Sequence, residues 1–181
     1  IVDGLYRFAD APEGLERRAT ILFSGTAHTA AQEARDILAE RYGVGAELWS
    51  VTSYKRLREQ ALDTDRWNRL HPTEAPRTPF VADALASSAG PIVAVTDFMQ
   101  AVPDQVARWM PRRYHSLGTD GFGRSDTRKA LRGFFETDAA HVVVATLASL
   151  AEDGAVDRAV VAEAIAAHGV DADAPDPRTT C

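Results

Sequence analysis

Residues 19–51, ATILFSGTAHTAAQEARDILAERYGVGAELWSV, contain the pattern that decides the fold. Residues 19–24 form an apolar run that ends before a glycine, which is typical of a strand buried on both faces of a sheet. A helix follows, with alanine and leucine at helical spacing, and Gly43 ends it. A second strand is predicted over residues 46–51. Two strands joined by a helix are the repeat of parallel α/β sheets.

The same alternation of strands and helices continues along the chain. Further strands are predicted at residues 91–96 and 113–117, with an additional edge strand at residues 4–8. Further helices are predicted at residues 53–70, 81–86, 98–109, 126–135, 139–151 and 157–168. We therefore predict a three-layer α/β/α sandwich with a mostly parallel sheet. It forms one domain over residues 1–181, in which residues 1–18 lead into the core and residues 170–181 are an exposed tail.

Composition narrows the class of protein. The chain has 181 residues, of which 45% are hydrophobic and 25% are charged, as in soluble globular proteins. No apolar run approaches the roughly 20 residues that span a bilayer, so we expect no membrane association. The single cysteine, Cys181, is the last residue, which excludes an internal disulfide and fits the reducing cytoplasm. The chain begins at Ile1 without a methionine, from which we expect a fragment or a processed chain.

Charge is distributed unevenly along the chain. The net charge of −6 gives no general reason to bind nucleic acid. Residues 108–133 nevertheless hold seven basic and two acidic residues, whereas residues 134–181 hold two basic and nine acidic ones. A basic segment beside an acidic one fits anion binding, but it more often indicates pairing within the molecule or between subunits.

Residues 112–136, RRYHSLGTDGFGRSDTRKALRGFFE, form the most unusual stretch. They predict a strand, a glycine-rich turn and a helix capped by Ser125 or Asp126. A glycine turn before a helix is where α/β proteins bind anions. Its spacing, G-x-x-G-x-G, is neither the dinucleotide fingerprint nor a Walker loop, and it follows the fourth strand rather than the first. The candidate residues for an anion loop, or for a domain or subunit contact, are Asp120, Gly121, Phe122, Gly123, Arg124, Ser125, Asp126 and Arg128.

Other candidate sites have weaker support. The five histidines are far apart in sequence, so a metal site is not predicted. Ser24 follows a strand but lacks the preceding glycine of a nucleophile elbow, which favours a structural serine. Arg124 and Arg128 are four residues apart and would share a helix face, so an anion contact stays open. The cluster at residues 66–72, RWNRLHP, either contacts a partner or packs its tryptophan inward.

Several stretches together resemble one family. They are GLYRF (4–8), ILFSGT (21–26), ELWSVTSYKRLR (47–58), RWNRLHP (66–72), PIVAVTDFM (91–99) and PRRYHSLGTDGFGRSDTRKALRGFFE (111–136). In this order they resemble the C-terminal domain of thiamine-diphosphate enzymes of the transketolase superfamily, and most closely that of the homodimeric bacterial pyruvate dehydrogenases. Transketolases look similar more distantly, through a D-x-F-G-x-S pattern met at Asp120, Phe122, Gly123 and Ser125.

The resemblance implies a role within a larger enzyme. Such an enzyme decarboxylates pyruvate and reductively acetylates the lipoyl groups of a dihydrolipoamide acetyltransferase in the cytoplasm. In that family thiamine diphosphate and magnesium lie between two preceding domains of a homodimer, held by a G-D-G motif and a later asparagine. This chain has no G-D-G, and its only asparagine, Asn68, lies before the glycine-rich turn. We therefore expect no catalytic, cofactor-binding or metal-binding residue in this chain alone.

Two other hypotheses remain open. The basic segment before a helix would suit a free-standing anion- or nucleotide-binding regulatory module. A purely structural dimerisation domain would explain the uneven charge through pairing between subunits.

Overall fold

A computed structural model describes residues 2–180, so the expectations about Ile1 and Cys181 lie outside the described residues. The strands are β1 (Leu5–Ala9), β2 (Arg17–Phe23), β3 (Val44–Val51), β4 (Ile92–Val95) and β5 (Tyr114–Leu117). They form one sheet in the order β1-β3-β2-β4-β5. The pairs β3–β2, β2–β4 and β4–β5 are parallel. The edge strand β1 pairs antiparallel with β3. The predicted mostly parallel sheet is confirmed.

Helices cover both faces of this sheet. They are α1 (His28–Tyr42), α2 (Tyr54–Leu70), α3 (Phe80–Ala84), α4 (Ala101–Asp104), α5 (Arg128–Phe134), α6 (Ala139–Glu152) and α7 (Arg158–Ala167). One core is formed with α1, α6 and α7, and a second core, on the opposite face, is formed with α2, α3 and the segment around α4. The three layers predicted from the sequence are therefore present.

The central position of β2 in the sheet explains why residues 19–24 are an apolar run. Ala19, Ile21 and Phe23 belong to the core with α1, whereas Leu22 belongs to the core with α2. Successive side chains of a strand point to opposite faces, so a strand covered on both faces needs apolar residues without alternation.

The carboxyl edge of the sheet is the edge at which β2 to β5 end. Because β1 is antiparallel, its first residue, Leu5, pairs with Val51, the last residue of β3. The carbonyl oxygen of Gly4 accepts hydrogen bonds from the amides of Thr52 and Ser53, at 2.9 and 3.2 Å. The described chain therefore begins at the carboxyl edge.

The helix predicted over residues 98–109 is wrong. The structure has only α4 and the 3₁₀ turn Ala107–Trp109 there. The carbonyl oxygen of Phe98 accepts from the amide of Thr119 at 2.9 Å, and the amide of Gln100 donates to Asp120 at 2.9 Å. Residues 98–100 are thus bonded to the loop after β5. The helix that starts at Ala101 ends at Asp104, and the amides of Val106 and Trp109 then make i→i−3 bonds to Pro103 and Val106.

The helix predicted over residues 126–135 begins two residues later than expected, at Arg128. Its cap is Thr127, whose hydroxyl oxygen accepts from the amide of Ala130 at 3.3 Å. The prediction of Ser125 or Asp126 as the cap is wrong. The carboxylate of Asp126 accepts instead from the amide of Thr127 at 2.6 Å, which fixes the residue before the helix.

Residues Arg128–Glu152 are long and apolar enough, by length and composition alone, to cross a bilayer. They comprise α5 and α6, and between these helices Glu136 has a φ of 56°. Val142, Val143 and Leu147 of α6 are fully buried in the same core as β2. Packing against the sheet accounts for these apolar side chains of α6, whereas no residue of α5 is buried.

Candidate functional site

The loops at the carboxyl edge form the candidate site. β2 leads into α1 on one face of the sheet, and its neighbour β4 leads into α4 on the other. Open parallel sheets bind ligands outside the carboxyl ends of two such strands, where their connections diverge. The point of divergence here lies between Ser24, after β2, and Thr96, after β4.

Ser24 and Thr96 join the ends of β2 and β4. Both residues are buried, and their hydroxyl oxygens are 2.6 Å apart. Beside them, the carboxylate of Asp97 accepts from the amide and the hydroxyl of Thr26, at 3.4 and 3.2 Å. Gly25 has a φ of 58°, a left-handed conformation that favours glycine, and a Cβ atom there would lie 2.3 Å from this carboxylate. The Ser24 hydroxyl thus links the ends of two neighbouring strands.

A cleft of about 360 Å³ opens between these loops and α5. Leu131 and Phe135 supply apolar surface. Charged side chains of both signs line it: Asp97, Asp126, Arg128 and Arg132. The guanidinium of Arg132 donates to the carbonyl oxygen of Thr26 at 2.7 Å and so ties α5 to the β2 loop. Within residues 2–180 no three histidine, cysteine or acidic side chains are grouped to hold a metal ion.

The glycine loop, residues 118–127, is bonded closely to the loop after β4. A Cβ atom at Gly118 would lie 2.5 Å from the amide nitrogen of Gln100. The hydroxyl of Thr119 donates to the carbonyl oxygen of Asp97 at 2.6 Å, and the carboxylate of Asp120 accepts from Gln100. Asp120, a predicted site residue, thus fixes the backbone of a neighbouring loop.

The far end of the glycine loop contacts the C-terminal tail. Gly121 has a φ of 114°, and a Cβ atom there would lie 2.2 Å from the carbonyl oxygen of Pro177. Gly123 faces open space, where a Cβ atom would have no neighbouring atom within 4 Å. Hydrogen bonds from Arg178 lower the pKa of the Asp176 carboxyl to about 2. Most tail residues are exposed, yet the tail folds back onto the glycine loop.

The remaining predicted site residues point in different directions. Phe122 is 62% exposed. The guanidinium of Arg124 lies over the ring of Phe134, 4.1 Å from its centroid. Arg128 is exposed and lines the cleft. The expectation that Arg124 and Arg128 share a helix face is wrong, because α5 begins at Arg128. Ser125 is also exposed.

The structure adds Asp97, Thr26 and Gln100, which the sequence reasoning missed. The position of Asp97 immediately after a predicted strand was a usable signal, since such positions lie at the carboxyl edge. Thr26 and Gln100 had no such signal, because their partners come from distant parts of the chain.

The aromatic cluster at residues 66–72 lies outside the carboxyl edge. Trp67 is stacked on His71 with ring centroids 4.4 Å apart, and the guanidinium of Arg77 lies 3.6 Å from its ring centroid. The side-chain amide of Asn68 exchanges two hydrogen bonds with the backbone of Arg77. Trp67 is half-buried between two side chains rather than packed into the core.

Comparison with known proteins gives concordant results. The family described as "Transketolase-like TK C-terminal domain" matches residues 4–138. The chain is 46% identical over 176 residues to the pyruvate dehydrogenase E1 component of Escherichia coli, covering 97% of this chain and 20% of that protein. It is 42% identical over 178 residues to the Pseudomonas aeruginosa protein of the same name, covering 98% of this chain and 20% of that protein. The chain thus spans about a fifth of these relatives.

Solved structures show the same fold at much lower identity. Transketolase from Leishmania mexicana matches with a TM-score of 0.51 at 16% identity, over 98% of this chain and 20% of that one. A transketolase from Pichia stipitis bound to a sugar phosphate matches with a TM-score of 0.53 at 16% identity, over 83% of this chain and 18% of that one. The family match, which covers most of the chain, and the shared fold lead to one conclusion: the chain belongs to the transketolase-like C-terminal domain family.

Proposed function

We propose that residues 1–181 form the non-catalytic C-terminal domain of a thiamine-diphosphate-dependent pyruvate dehydrogenase. The observation that carries this proposal is the similarity to pyruvate dehydrogenase E1 components over nearly the whole chain. The complete enzyme would decarboxylate pyruvate and transfer the acetyl group to the lipoyl group of a dihydrolipoamide acetyltransferase. It would act as a homodimer in the cytoplasm.

We assign the cofactor to the preceding domains. Within residues 2–180 no three histidine, cysteine or acidic side chains are grouped to hold a metal ion. Asp97, Asp120 and Asp126 each accept a hydrogen bond from a backbone amide, so they contribute to the positions of the loops. Both observations support a structural role for these carboxylates in this chain.

Residues 120–128 would serve the enzyme as a contact with another domain or subunit. The loop is held by hydrogen bonds at Thr119 and Asp120 and still presents Phe122 and Arg128 outward. A surface whose backbone is already ordered loses little conformational entropy on association. Supporting the dimer and the position of the middle domain is therefore the role that these residues suit.

Calorimetry tests the assignment of the cofactor. Titration of thiamine diphosphate and magnesium into the 181-residue chain should give no heat of binding, whereas the full-length enzyme should bind with a measurable enthalpy. Micromolar binding by the 181-residue chain would show that the cofactor site lies within it. Failure of the full-length enzyme to bind would contradict the proposed function itself.

The cleft supports a second candidate, an anion- or nucleotide-binding regulatory module. It lies where parallel sheets bind ligands, and Arg128 lines it. If a phosphorylated metabolite raises the melting temperature of the chain, the double substitution Arg124→Ala and Arg128→Ala should abolish that rise. If none of a panel of sugar phosphates and nucleotides changes the melting temperature, this candidate is wrong.

A further inference from the structure

We propose that the cleft between the β2 loop (residues 24–27) and α5 binds a small zwitterion, an α-amino acid with an apolar side chain. The ligand differs in charge from the phosphorylated metabolite of the second candidate function. The inference goes beyond the non-catalytic role proposed for the chain and does not depend on it. Three features of the cleft support it: unpaired charges of both signs, apolar surface, and a buried hydroxyl without a partner.

Charged side chains line the cleft without pairing with one another. They are Asp97, Asp126, Arg128 and Arg132. None of the four forms an ion pair with any residue between 2 and 180. The guanidinium of Arg128 also has no hydrogen bond within that range. Charges of both signs are therefore available to a ligand in this cleft.

Thr26 holds one charge of each sign in a fixed position. The carboxylate of Asp97 accepts from its hydroxyl at 3.2 Å, and the guanidinium of Arg132 contacts the same hydroxyl oxygen at 3.3 Å. Arg132 also donates to the carbonyl oxygen of Thr26 at 2.7 Å. An α-amino acid carries its ammonium and its carboxylate on one carbon atom. It can therefore place the ammonium beside Asp97 and the carboxylate beside Arg132 at once.

A ligand with a single charge fits this cleft less well. A phosphate or another anion would meet two arginines but also the carboxylates of Asp97 and Asp126. Like charges brought together cost binding free energy. A simple cation would meet the same balance with the signs reversed. A zwitterion places each charged group of the cleft near a group of opposite charge.

Apolar side chains supply the rest of the cleft wall. Leu131 and Phe135, at α5, are half-buried and line the cleft, and Ala27 lines it from the β2 loop. The volume of about 360 Å³ lies at the lower end of the range for small-molecule clefts, about 300–1,000 Å³. The cleft therefore suits a ligand of amino-acid size that has an apolar side chain.

One buried hydroxyl in the cleft lacks a partner. Thr137 lines the cleft and is 4% exposed, and its hydroxyl forms no hydrogen bond with the described residues. The fully enclosed side-chain atoms without a partner, within residues 2–180, belong to Arg35, Trp49 and Tyr54 and not to Thr137. The Thr137 hydroxyl therefore has access to the cleft. It can donate to a ligand carboxylate or accept from a ligand ammonium.

Isothermal titration calorimetry with L-leucine and two analogues tests this inference. Isocaproate keeps the side chain and carboxylate of leucine without the ammonium, and isoamylamine keeps the side chain and ammonium without the carboxylate. Each would be titrated into the full-length polypeptide that contains residues 1–181. We expect L-leucine to bind and each analogue to bind at least about tenfold more weakly, because each lacks one charged contact.

Three results would overturn the inference. The first is no binding of L-leucine at millimolar concentration. The second is equal affinity for isocaproate and L-leucine, which would make the cleft a plain anion site. The third is tighter binding of a sugar phosphate than of L-leucine, which would favour the second candidate function. The proposed function is judged separately, because it fails only if the same preparation does not bind thiamine diphosphate.

Two matched substitutions locate the ligand. Arg128→Gln removes a guanidinium that lines the cleft, and Arg124→Gln removes one that lies over the ring of Phe134 and does not line the cleft. Both arginines are exposed, so neither change should disturb the fold. The affinity for L-leucine should fall about tenfold with Arg128→Gln and stay unchanged with Arg124→Gln. Equal affinities of the two variants would place the ligand elsewhere.

Two further substitutions assign the contacts of the ligand. Asp97→Asn keeps an oxygen that can accept from Thr26 but removes the negative charge. It should weaken L-leucine binding about tenfold and leave isocaproate binding unchanged, because isocaproate has no ammonium. Thr137→Val keeps the shape of the side chain without the hydroxyl, and it should also weaken L-leucine binding. Unchanged affinity for L-leucine in both variants would refute the proposed site.

Discussion

Replacing Gly118 by alanine would test how the glycine loop is held. The added Cβ atom would lie 2.5 Å from the amide nitrogen of Gln100, 2.7 Å from its Cα and 2.9 Å from the carbonyl oxygen of Phe98. The shortest distance is about 1 Å below the optimum for such contacts. All three atoms belong to backbone, so the two loops must separate rather than a flexible side chain move.

The expected cost follows from steric overlap and from two hydrogen bonds. Overpacking costs about 1–3 kcal/mol. Separation also weakens the bonds from Thr119 to Phe98 and from Gln100 to Asp120, worth about 0.5–1.5 kcal/mol each. We therefore expect Gly118→Ala to lower the free energy of unfolding by about 2–4 kcal/mol. Urea denaturation followed by circular dichroism would measure it.

Gly123→Ala is the matched control in the same loop. A Cβ atom at Gly123 would have no neighbouring atom within 4 Å, and Gly123 does not have a positive φ. Its substitution should change the free energy of unfolding by no more than about 0.5 kcal/mol. Equal effects of the two substitutions, or an unchanged stability with Gly118→Ala, would refute the argument that close backbone approach at Gly118 joins the loops.

Substitutions at two partly buried carboxylates, Glu47 and Asp138, extend the same denaturation assay. Glu47→Ala should cost about 1–3 kcal/mol, because the buried hydroxyls of Thr20 and Ser88 both donate to Glu47, whereas Glu47→Gln should cost less since it keeps an acceptor. Burial raises the pKa of Asp138, but hydrogen bonds from His141 hold it below the ordinary value of 3.8. A lowered pKa stabilises the fold above that value, so the stability difference between the wild type and Asp138→Ala should shrink as the pH falls below about 4. A difference that does not change with pH would contradict this assignment.

Much of the fold could be predicted because its signals are local. The run at residues 19–24 shows burial on both faces, and Gly43, with a φ of 62°, ends α1 as a left-handed cap. The prediction of a helix at residues 98–109 was wrong because contacts with residues distant in sequence act there. Val102, Val106 and Trp109 pack against the core as the apolar pattern indicates, but Phe98 and Gln100 bond to the glycine loop and the α-helix ends at Asp104.

The candidate site was predicted less completely. The sequence singled out Asp120 and Gly121, but it did not indicate their neighbours, Gln100 and Pro177, which lie 20 and 56 positions away. No spacing in the sequence indicates that a loop after one strand will bond to a loop after its neighbour. That depends on the strand order, in which β4 lies between β2 and β5.

The amino-acid sequence by itself determined the α/β class, the family and the unusual character of residues 112–136. The reason is that the signals for burial, for turns and for family resemblance all come from residues close together in sequence. Only the tertiary structure decided which residues of the glycine loop contact the rest of the fold and which ones face outward. It places Gly118 and Asp120 against the loop after β4 and leaves Phe122, Arg128 and Lys129 outward. The physical reason is that each backbone donor and acceptor at the carboxyl edge must find a partner, and those partners are set by which strands are neighbours in the sheet.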